Sequence, residues 1–324
     1  MVNLGTLLNL PQLEENLNRV EAALGGSVSS EDPFLTEVAG HLVQAGGKRL
    51  RPALAVAAAG VVSSDAVTDD VIQGGVSVEL VHLGSLYHDD VMDEATIRRG
   101  VESVNARWGN LVAIVAGDFL LARASELAAA LGTEVAQLLA ATIGRLCEGQ
   151  VAELRTAYDV SRSEEAYLTS IAGKTAALMA ASSRIGALAA KADRAEVDAL
   201  TAFGQAFGMV FQMVDDVLDV IGTDESLGKP AGHDLVEGVY TLPTIRALTV
   251  PKAGDDLRAI LGRRLDEPER DKARSIIRST DGIEATLGAA RRWADKAAEA
   301  VEGLGEAGAR LAPLGHNLLD GVSA

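Results

Sequence analysis

Apolar positions along this chain recur at i, i+3, i+4 and i+7 in stretches of roughly 10–25 residues, with glycines and prolines falling mostly between them. The pattern predicts a helix opened by Pro11 and ending near Gly25-Gly26, and a second from Glu31-Asp32-Pro33 to about Ala45. Gly46-Gly47 breaks it, and Arg51-Pro52 opens an apolar helix to about Gly60. Asp69 to about Asp93 reads as one long helix. Further helices fit about 105–131, 133–156, 163–189, 193–221, 241–248, 253–263, 267–279 and 283–302. No stretch alternates as a strand ladder does, and the Gly-rich C-terminal stretch carries no clear period. Without a Pro/Ser-rich linker or a step in composition, residues 1–324 are expected to form one all-α domain.

Charge narrows the picture. The 46 acidic side chains outnumber 29 basic ones, for a net charge of −17. That excludes the dense Lys/Arg surface that nucleic acid or a polybasic membrane contact requires. Met1 to Asn18 holds no Lys or Arg, so no secretory signal is read. The longest uncharged run, Ala199 to Val214, falls short of the roughly 20 residues that span a bilayer. A soluble cytoplasmic protein is expected, with no transmembrane segment. The single cysteine, Cys147, forms no intrachain disulfide and is expected to be a small buried hydrophobe.

One near-repeat carries chemistry. His88-Asp89-Asp90-Val91-Met92-Asp93 recurs as Val214-Asp215-Asp216-Val217-Leu218-Asp219, and each copy ends a long apolar stretch. On a helix, Asp89 projects with Asp93 and Asp215 with Asp219. Stacked carboxylates repel, and a helix C-terminus disfavours anions. The placement is locally unfavourable twice, which points to a cation that offsets it. The competing reading is a solvated acidic face, but two copies closing two apolar helices favour metal. All-oxygen donors select Mg²⁺ or Mn²⁺ over Zn²⁺, and Mg²⁺ is commonly shared between carboxylates and substrate phosphates. Two facing clusters suit a diphosphate held by several ions.

An acidic chain that binds a diphosphate must gather its few cations locally. Candidates are Gly46-Gly47-Lys48-Arg49-Leu50-Arg51-Pro52, Arg98-Arg99-Gly100, Gly173-Lys174-Thr175 and Gly228-Lys229-Pro230. Singly, each reads as well as a helix start, a solvated turn or a loop tip. Lys174 is harder to dismiss, because it stands against the apolar run Ala176 to Ala180.

Together these residues resemble the trans-isoprenyl diphosphate synthases, or polyprenyl synthetases. The resemblance runs in order from about Gly46 to Pro243: GGKRLRP, LYHDDVMDEATIRRG, the GDFLLARA run at 117–124, GKT at 173–175, FQMVDDVLD at 211–219, and GKPAGHDLVEG followed by TLP. It implies an isoprenoid synthase fold, with helices around a central cavity, usually as a homodimer. It implies head-to-tail condensation of isopentenyl diphosphate onto an allylic diphosphate. By position, Lys48, Arg51, His82 and Arg99 resemble the isopentenyl diphosphate site. Arg98, Lys174, Thr175, Gln212 and Lys229 resemble contacts to the allylic diphosphate. Asp89, Asp93, Asp215 and Asp219 resemble the ligands of Mg²⁺, three ions per site with Mn²⁺ as a substitute; Asp90 and Asp216 resemble supporting members.

The sequence departs from the family at Glu148-Gly149-Gln150, where relatives often carry Glu in the third place. It departs at Val239-Tyr240, where a lysine often stands, and in a C-terminus without a basic tail. The implied mechanism is ionisation, condensation and elimination, with the Gln212 oxygen and carbonyls near Lys174-Thr175 facing the allylic cation. The released diphosphate takes the proton, with no protein general base. The growing tail is expected to run down the helix bearing Asp89, past Ser85 and Gly84 and then Val81 and Val78. No aromatic floor stands there, so products longer than C20 are expected, for delivery to a membrane. The competing reading is that Gly84 and Ser85 let a neighbouring helix pack closely. Alternative functions are a C15/C20 synthase, a class I terpene cyclase, or a regulatory subunit of a heteromeric synthase.

Overall fold

The computed structural model describes residues 12–63, 67–227 and 230–323, and almost all of them are helical. The predicted start at Pro11 lies outside the described residues. α1 (Leu13–Ser27), α2 (Pro33–Gln44), α3 (Leu50–Val62) and α4 (Asp69–Met92) come first. After a short hairpin come α5 (Val104–Trp108), α6 (Asn110–Ala130) and α7 (Thr133–Arg155). α8 (Glu164–Ile171) passes through a π-helical turn (Ala172–Ala176) into α9 (Ala177–Ala189), and α10 (Arg194–Ile221) follows. Then come α11 (Asp224–Leu227), α12 (His233–Val236), α13 (Leu242–Thr249), α14 (Pro251–Arg258) and α15 (Glu267–Arg278). α16 (Gly282–Val301), α17 (Gly305–Leu311) and α18 (Leu314–Ser323) complete the order.

Local chemistry sets many of these boundaries. The Asp32 carboxylate accepts hydrogen bonds from the Phe34 and Leu35 amides, and Pro33 needs no amide partner, so α2 starts there. Asp193 with Glu196, and Asp266 with Glu269, form reciprocal capping boxes at the starts of α10 and α15. α3 starts at Leu50, slightly before the expected start, so Pro52 falls third in its first turn, where a missing amide still costs nothing. The expected 105–131 helix is divided at Gly109, whose φ of 89° no helix accommodates. The Gly-rich C-terminal stretch, which lacked a period, is helical as α17 and α18.

Two pairings position the site. α4 packs along α6 and α3, while α10 lies between α9 and α16. Tyr87, fully buried, donates its hydroxyl to the Val38 carbonyl at 2.7 Å and so ties α4 to α2. Phe203 and Phe207 stack at 5.9 Å inside α10's buried face. α10 is long and apolar enough to cross a membrane by length and composition, but most of that stretch is buried inside the protein.

Candidate active site

The first aspartate cluster closes α4. Asp90 is fully buried, and Arg98 meets its carboxylate through Nε at 2.7 Å and Nη2 at 2.5 Å. Arg98 comes from an antiparallel hairpin, Ile97–Arg98 against Val101–Glu102, which the sequence pattern did not predict. Its two turn residues, Arg99 (φ 54°) and Gly100 (φ 77°), are both left-handed, as the tightest hairpin turn requires. Two-residue strands hold no alternation to detect. The Asn105 amide donates to the carbonyls of Asp90 and Ala95, both at 3.0 Å, pinning the loop. Asp89 is pushed up to about 6, chiefly by burial; Lys174 opposes this and Asp93 adds to it. Asp93 is raised for the same leading reason.

The second cluster closes α10. Asp215 is exposed, whereas Asp216 and Asp219 are buried. The Asp219 carboxylate accepts from the Asp234 amide at 3.3 Å, which ties the cluster to α12. Asp216 accepts from the Tyr167 hydroxyl at 2.5 Å and from Gln212 Nε2 at 2.8 Å. Burial nevertheless pushes Asp216 up to about 7. Gln212 Oε1 in turn accepts from Thr175 Oγ1 at 2.7 Å. The oxygen expected to face an allylic cation therefore already holds a hydrogen bond, because Thr175 projects at it from the π-helical turn.

That turn brings Lys174 into the site. A π-turn slips the helix register by one residue and is commonly found where function demands it. Its backbone crosses α7 closely: a Cβ on Gly149 would lie 2.6 Å from the Lys174 amide, and one on Gly173 would lie 2.9 Å from the Arg145 carbonyl. One turn past Gly149, Glu153 accepts from Lys174 Nζ at 2.7 Å. Burial opposes the lysine's charge, but Glu153 and Asp89 outweigh it and raise Lys174 above its ordinary value.

A separate cation cluster gathers around His82. Arg49, in a left-handed conformation at the start of α3 and only 6% exposed, donates to Glu79 at 3.0 Å and to Glu21 at 2.7 and 2.8 Å. Arg99 donates to the carbonyls of Leu42, at 3.2 Å, and Gly46, closing over the end of α2. Burial lowers Arg51 to about 10; Glu79 opposes this and Arg99 adds to it. Burial, then Arg51, Arg99, Arg98 and Arg49 in that order, drive His82 well below its ordinary value, so its ring is neutral. Lys48 is exposed at the edge. Buried Glu79 is the carboxylate on which Arg49 and Arg99 converge, and the excess positive charge suits an anion.

Between the clusters lies a cavity of about 130 Å³, lined by residues including Asp93, Glu153, Lys174, Thr175, Gln212 and Asp216. Ordinary small-ligand pockets run to roughly 300–1,000 Å³, so this one suits a polar head group rather than a long tail. Among the described residues no three carboxylates or histidines already converge as a metal cage. Carboxylates that leave room for phosphate oxygens meet the needs of Mg²⁺ without such a cage.

Other expected residues are placed as follows. Ser85 and Val81 share the Asp89 face of α4; Ser85 is half-buried and Val81 is buried. Gly84 instead faces α6, where a Cβ would meet the Gly117 carbonyl at 3.0 Å and Leu121 at 3.2 Å. There the competing reading, close helix packing, is what the structure shows. Lys229 lies outside the described residues. Cys147 is exposed on α7 rather than buried, because the α7 surface it occupies faces away from the core. Sequence reasoning missed Glu79, Asn105, Glu153, Arg162 and Tyr167. Glu153, one turn past Gly149-Gln150, alone carried a positional signal.

The polyprenyl synthetase family model matches residues 32–278. Over 293 residues the chain is 42% identical to heptaprenyl diphosphate synthase component 2 of Geobacillus stearothermophilus, covering 90% of this chain and 91% of that protein. It is 38% identical to nonaprenyl diphosphate synthase of Mycobacterium tuberculosis, covering 87% and 84%. Its structure superposes with a TM-score of 0.88, at 35% identity and over 96% and 95% of the chains, on a polyprenyl synthase from Caulobacter crescentus crystallised with calcium and isoprenyl diphosphate.

Proposed function

Since this chain belongs to the polyprenyl synthetase family and is a prenyltransferase, we propose that it condenses isopentenyl diphosphate head-to-tail with an allylic diphosphate, releasing products longer than C20. The observation that carries this reading is the division of charge. An acidic cavity holding Lys174 is joined, through Arg98, to a cation cluster around a neutral histidine. The names of the relatives above support the product length. So do Ser85 and Val81, which put no aromatic floor on the Asp89 face of α4.

Asp89 and Asp93 on one side, and Asp215 and Asp219 on the other, would hold Mg²⁺. In this reading there are three ions per site, with Mn²⁺ as a substitute. The donor set fits, since it is all carboxylate and Asp89 is raised by burial that Lys174 only partly offsets. When bound, the ions supply Lewis-acid stabilisation of charge developing on the leaving diphosphate. Lys174, held by Glu153, and Arg98, held by Asp90, place fixed positive charge at the same group. Thr175 steadies Gln212, which steadies Asp216. Lys229 is assigned to the allylic diphosphate by its motif alone. Lys48, Arg51 and Arg99 bind the second diphosphate, and neutral His82 hydrogen-bonds to it. No side chain is assigned as general base; the departing diphosphate takes the proton.

The whole chain, 1–324, acts in this reading as a single all-α unit in the cytoplasm, handing its product to a membrane. It acts as a homodimer. α6 and α7, joined by Leu131-Gly132, run antiparallel, so the start of α6 and the end of α7 share one end. Leu111 (80% exposed), Val115 and Val151 leave an apolar surface there. The Geobacillus relative is named as a component of its enzyme, so an unlike partner chain is the second reading.

The test is elongation by the purified protein with Mg²⁺, labelled isopentenyl diphosphate and an allylic primer. Products above C20 are expected, with activity abolished by chelator. Asp89→Ala and Asp215→Ala should each add about 3–4 kcal/mol to the barrier, the scale of a lost major electrostatic stabiliser. A ladder stopping at C15 or C20 would overturn the length, and cyclic hydrocarbon from the primer alone the reaction. Silence relieved only by a second chain would establish the partner.

A further inference from the structure

The turn between α7 and α8 places a charged group that the reading above leaves without a task. Arg162 is 5% exposed and lines the cavity between the aspartate clusters. Its Nη1 donates to the Tyr240 carbonyl at 3.1 Å, and its guanidinium lies 5.9 Å from the Tyr167 ring. Its Nε and Nη2 are both buried and, among the described residues, have no hydrogen-bond partner. These two nitrogens share one edge of the guanidinium, the edge that grips carboxylate or phosphate with two parallel hydrogen bonds.

Leaving such an edge unpaired inside a protein is costly. Burial opposes the charge and lowers Arg162 from its ordinary value, while Glu153, Asp216 and Asp234 favour the charge through space without saturating the edge. A carbonyl and an aromatic face hold the group still while its best binding edge is left over. An anion brought in from outside would complete it. The same cavity is bounded by Asp93 and Lys174, read above as holding the metal ions and the allylic diphosphate, and by the supporting Asp216. The second diphosphate has its own cations around His82.

We propose that Arg162 is a substrate-binding residue that grips the allylic diphosphate, through Nε and Nη2, from the side of the cavity opened by the α7–α8 turn. This rests on reading the cavity as the allylic diphosphate site. Val239, adjacent to the carbonyl that Arg162 holds, lines the same cavity and contributes no charge. The turn before α8 therefore adds positive charge to a cavity wall that otherwise carries the acidic Asp234 and Glu237 beside the uncharged Val239 and Thr241.

The test is calorimetric titration of wild type and Arg162→Gln with inorganic pyrophosphate in saturating Mg²⁺, alongside kinetics varying each substrate. Pyrophosphate should bind Arg162→Gln roughly tenfold to a hundredfold more weakly, as for a lost charge-assisted pair. KM for the allylic substrate should rise and KM for isopentenyl diphosphate should not. Arg162→Gln with Val239→Lys, which returns a cation to the same wall, should recover part of the affinity. A folded Arg162→Gln with wild-type pyrophosphate affinity overturns the inference, whatever its melting temperature. Should that variant not fold, the Nε–H resonance of Arg162 in the wild type decides. A shift on adding Mg²⁺ and pyrophosphate supports the contact, and an unmoved resonance overturns it. Wild type that elongates while Arg162→Gln binds pyrophosphate normally sinks this inference alone, whereas wild type that does not elongate sinks the reading beneath it as well.

Discussion

At the scale of single residues, the site is built from carboxylates held where their charge is costly. Asp89 and Asp216 stand at about 6 and about 7, both raised chiefly by burial from an ordinary value of 3.8. A raised carboxylate is better protonated in the folded chain than in the unfolded one. Its stabilising contribution is therefore present near pH 4 and is lost as pH rises through about 6 for Asp89 and about 7 for Asp216. Metal-free protein should accordingly lose stability between pH 4 and 7 from these two groups. Mg²⁺, which needs Asp89 ionised, should raise the melting temperature more at pH 7.5 than at pH 5. Thermal melts with and without Mg²⁺ at the two pH values check this. Asp89→Asn should flatten the slope of the metal-free series, and an unchanged slope would remove Asp89 from the account.

At the scale of elements, two close crossings decide what the helices can present. Gly149 lets the π-helical turn lie against α7, and that crossing aims Lys174 at Glu153 and the first aspartate cluster. Gly149→Ala should cost about 1–3 kcal/mol of stability by overpacking and should lower kcat by moving Lys174. Denaturant melts beside turnover measure both; unchanged kcat would mean that Lys174 does not depend on the crossing. On α4, neighbouring small residues do different work. Gly84 is used up in packing against Gly117 of α6, whereas Ser85 stays on the face of Asp89 and donates to the His82 carbonyl, at 2.8 Å. A helix turn rises about 5.4 Å, close to the reach of one extended C5 unit. Ser85→Phe should therefore shorten products toward C15 or C20. Chromatographic sizing of dephosphorylated products tests it, and a wild-type ladder from an active Ser85→Phe enzyme would move the tail elsewhere.

At the scale of the whole molecule, the apolar surface at the start of α6 and the end of α7 is the least explained by a single chain. Leu111, Ile114 and Val115 are 80%, 40% and 60% exposed and lie close together on one helix. Val115→Glu should shift the protein to monomer in sedimentation equilibrium with little loss of melting temperature at high dilution. A monomeric wild type would leave that surface to an unlike partner.

The helices, their approximate spans and the paired aspartates were legible without any structure. Helical periodicity, capping residues and the i, i+4 geometry of Asp89 with Asp93 act within a few residues of chain. The resemblance carried the roles of His82 and Lys174, which spacing alone did not assign. What only the tertiary structure decided depends on chain segments far apart in sequence. Glu79 reaches Arg49 across two helices, Tyr167 reaches Asp216 from α8 to α10, and Arg162 enters the cavity from a turn with no motif of its own. Burial and like charge, the quantities that make Asp89 reluctant to ionise and His82 neutral, belong to that assembled neighbourhood. A chain's local pattern contains none of these long-range fields, because desolvation acts on a group only once distant helices have closed over it.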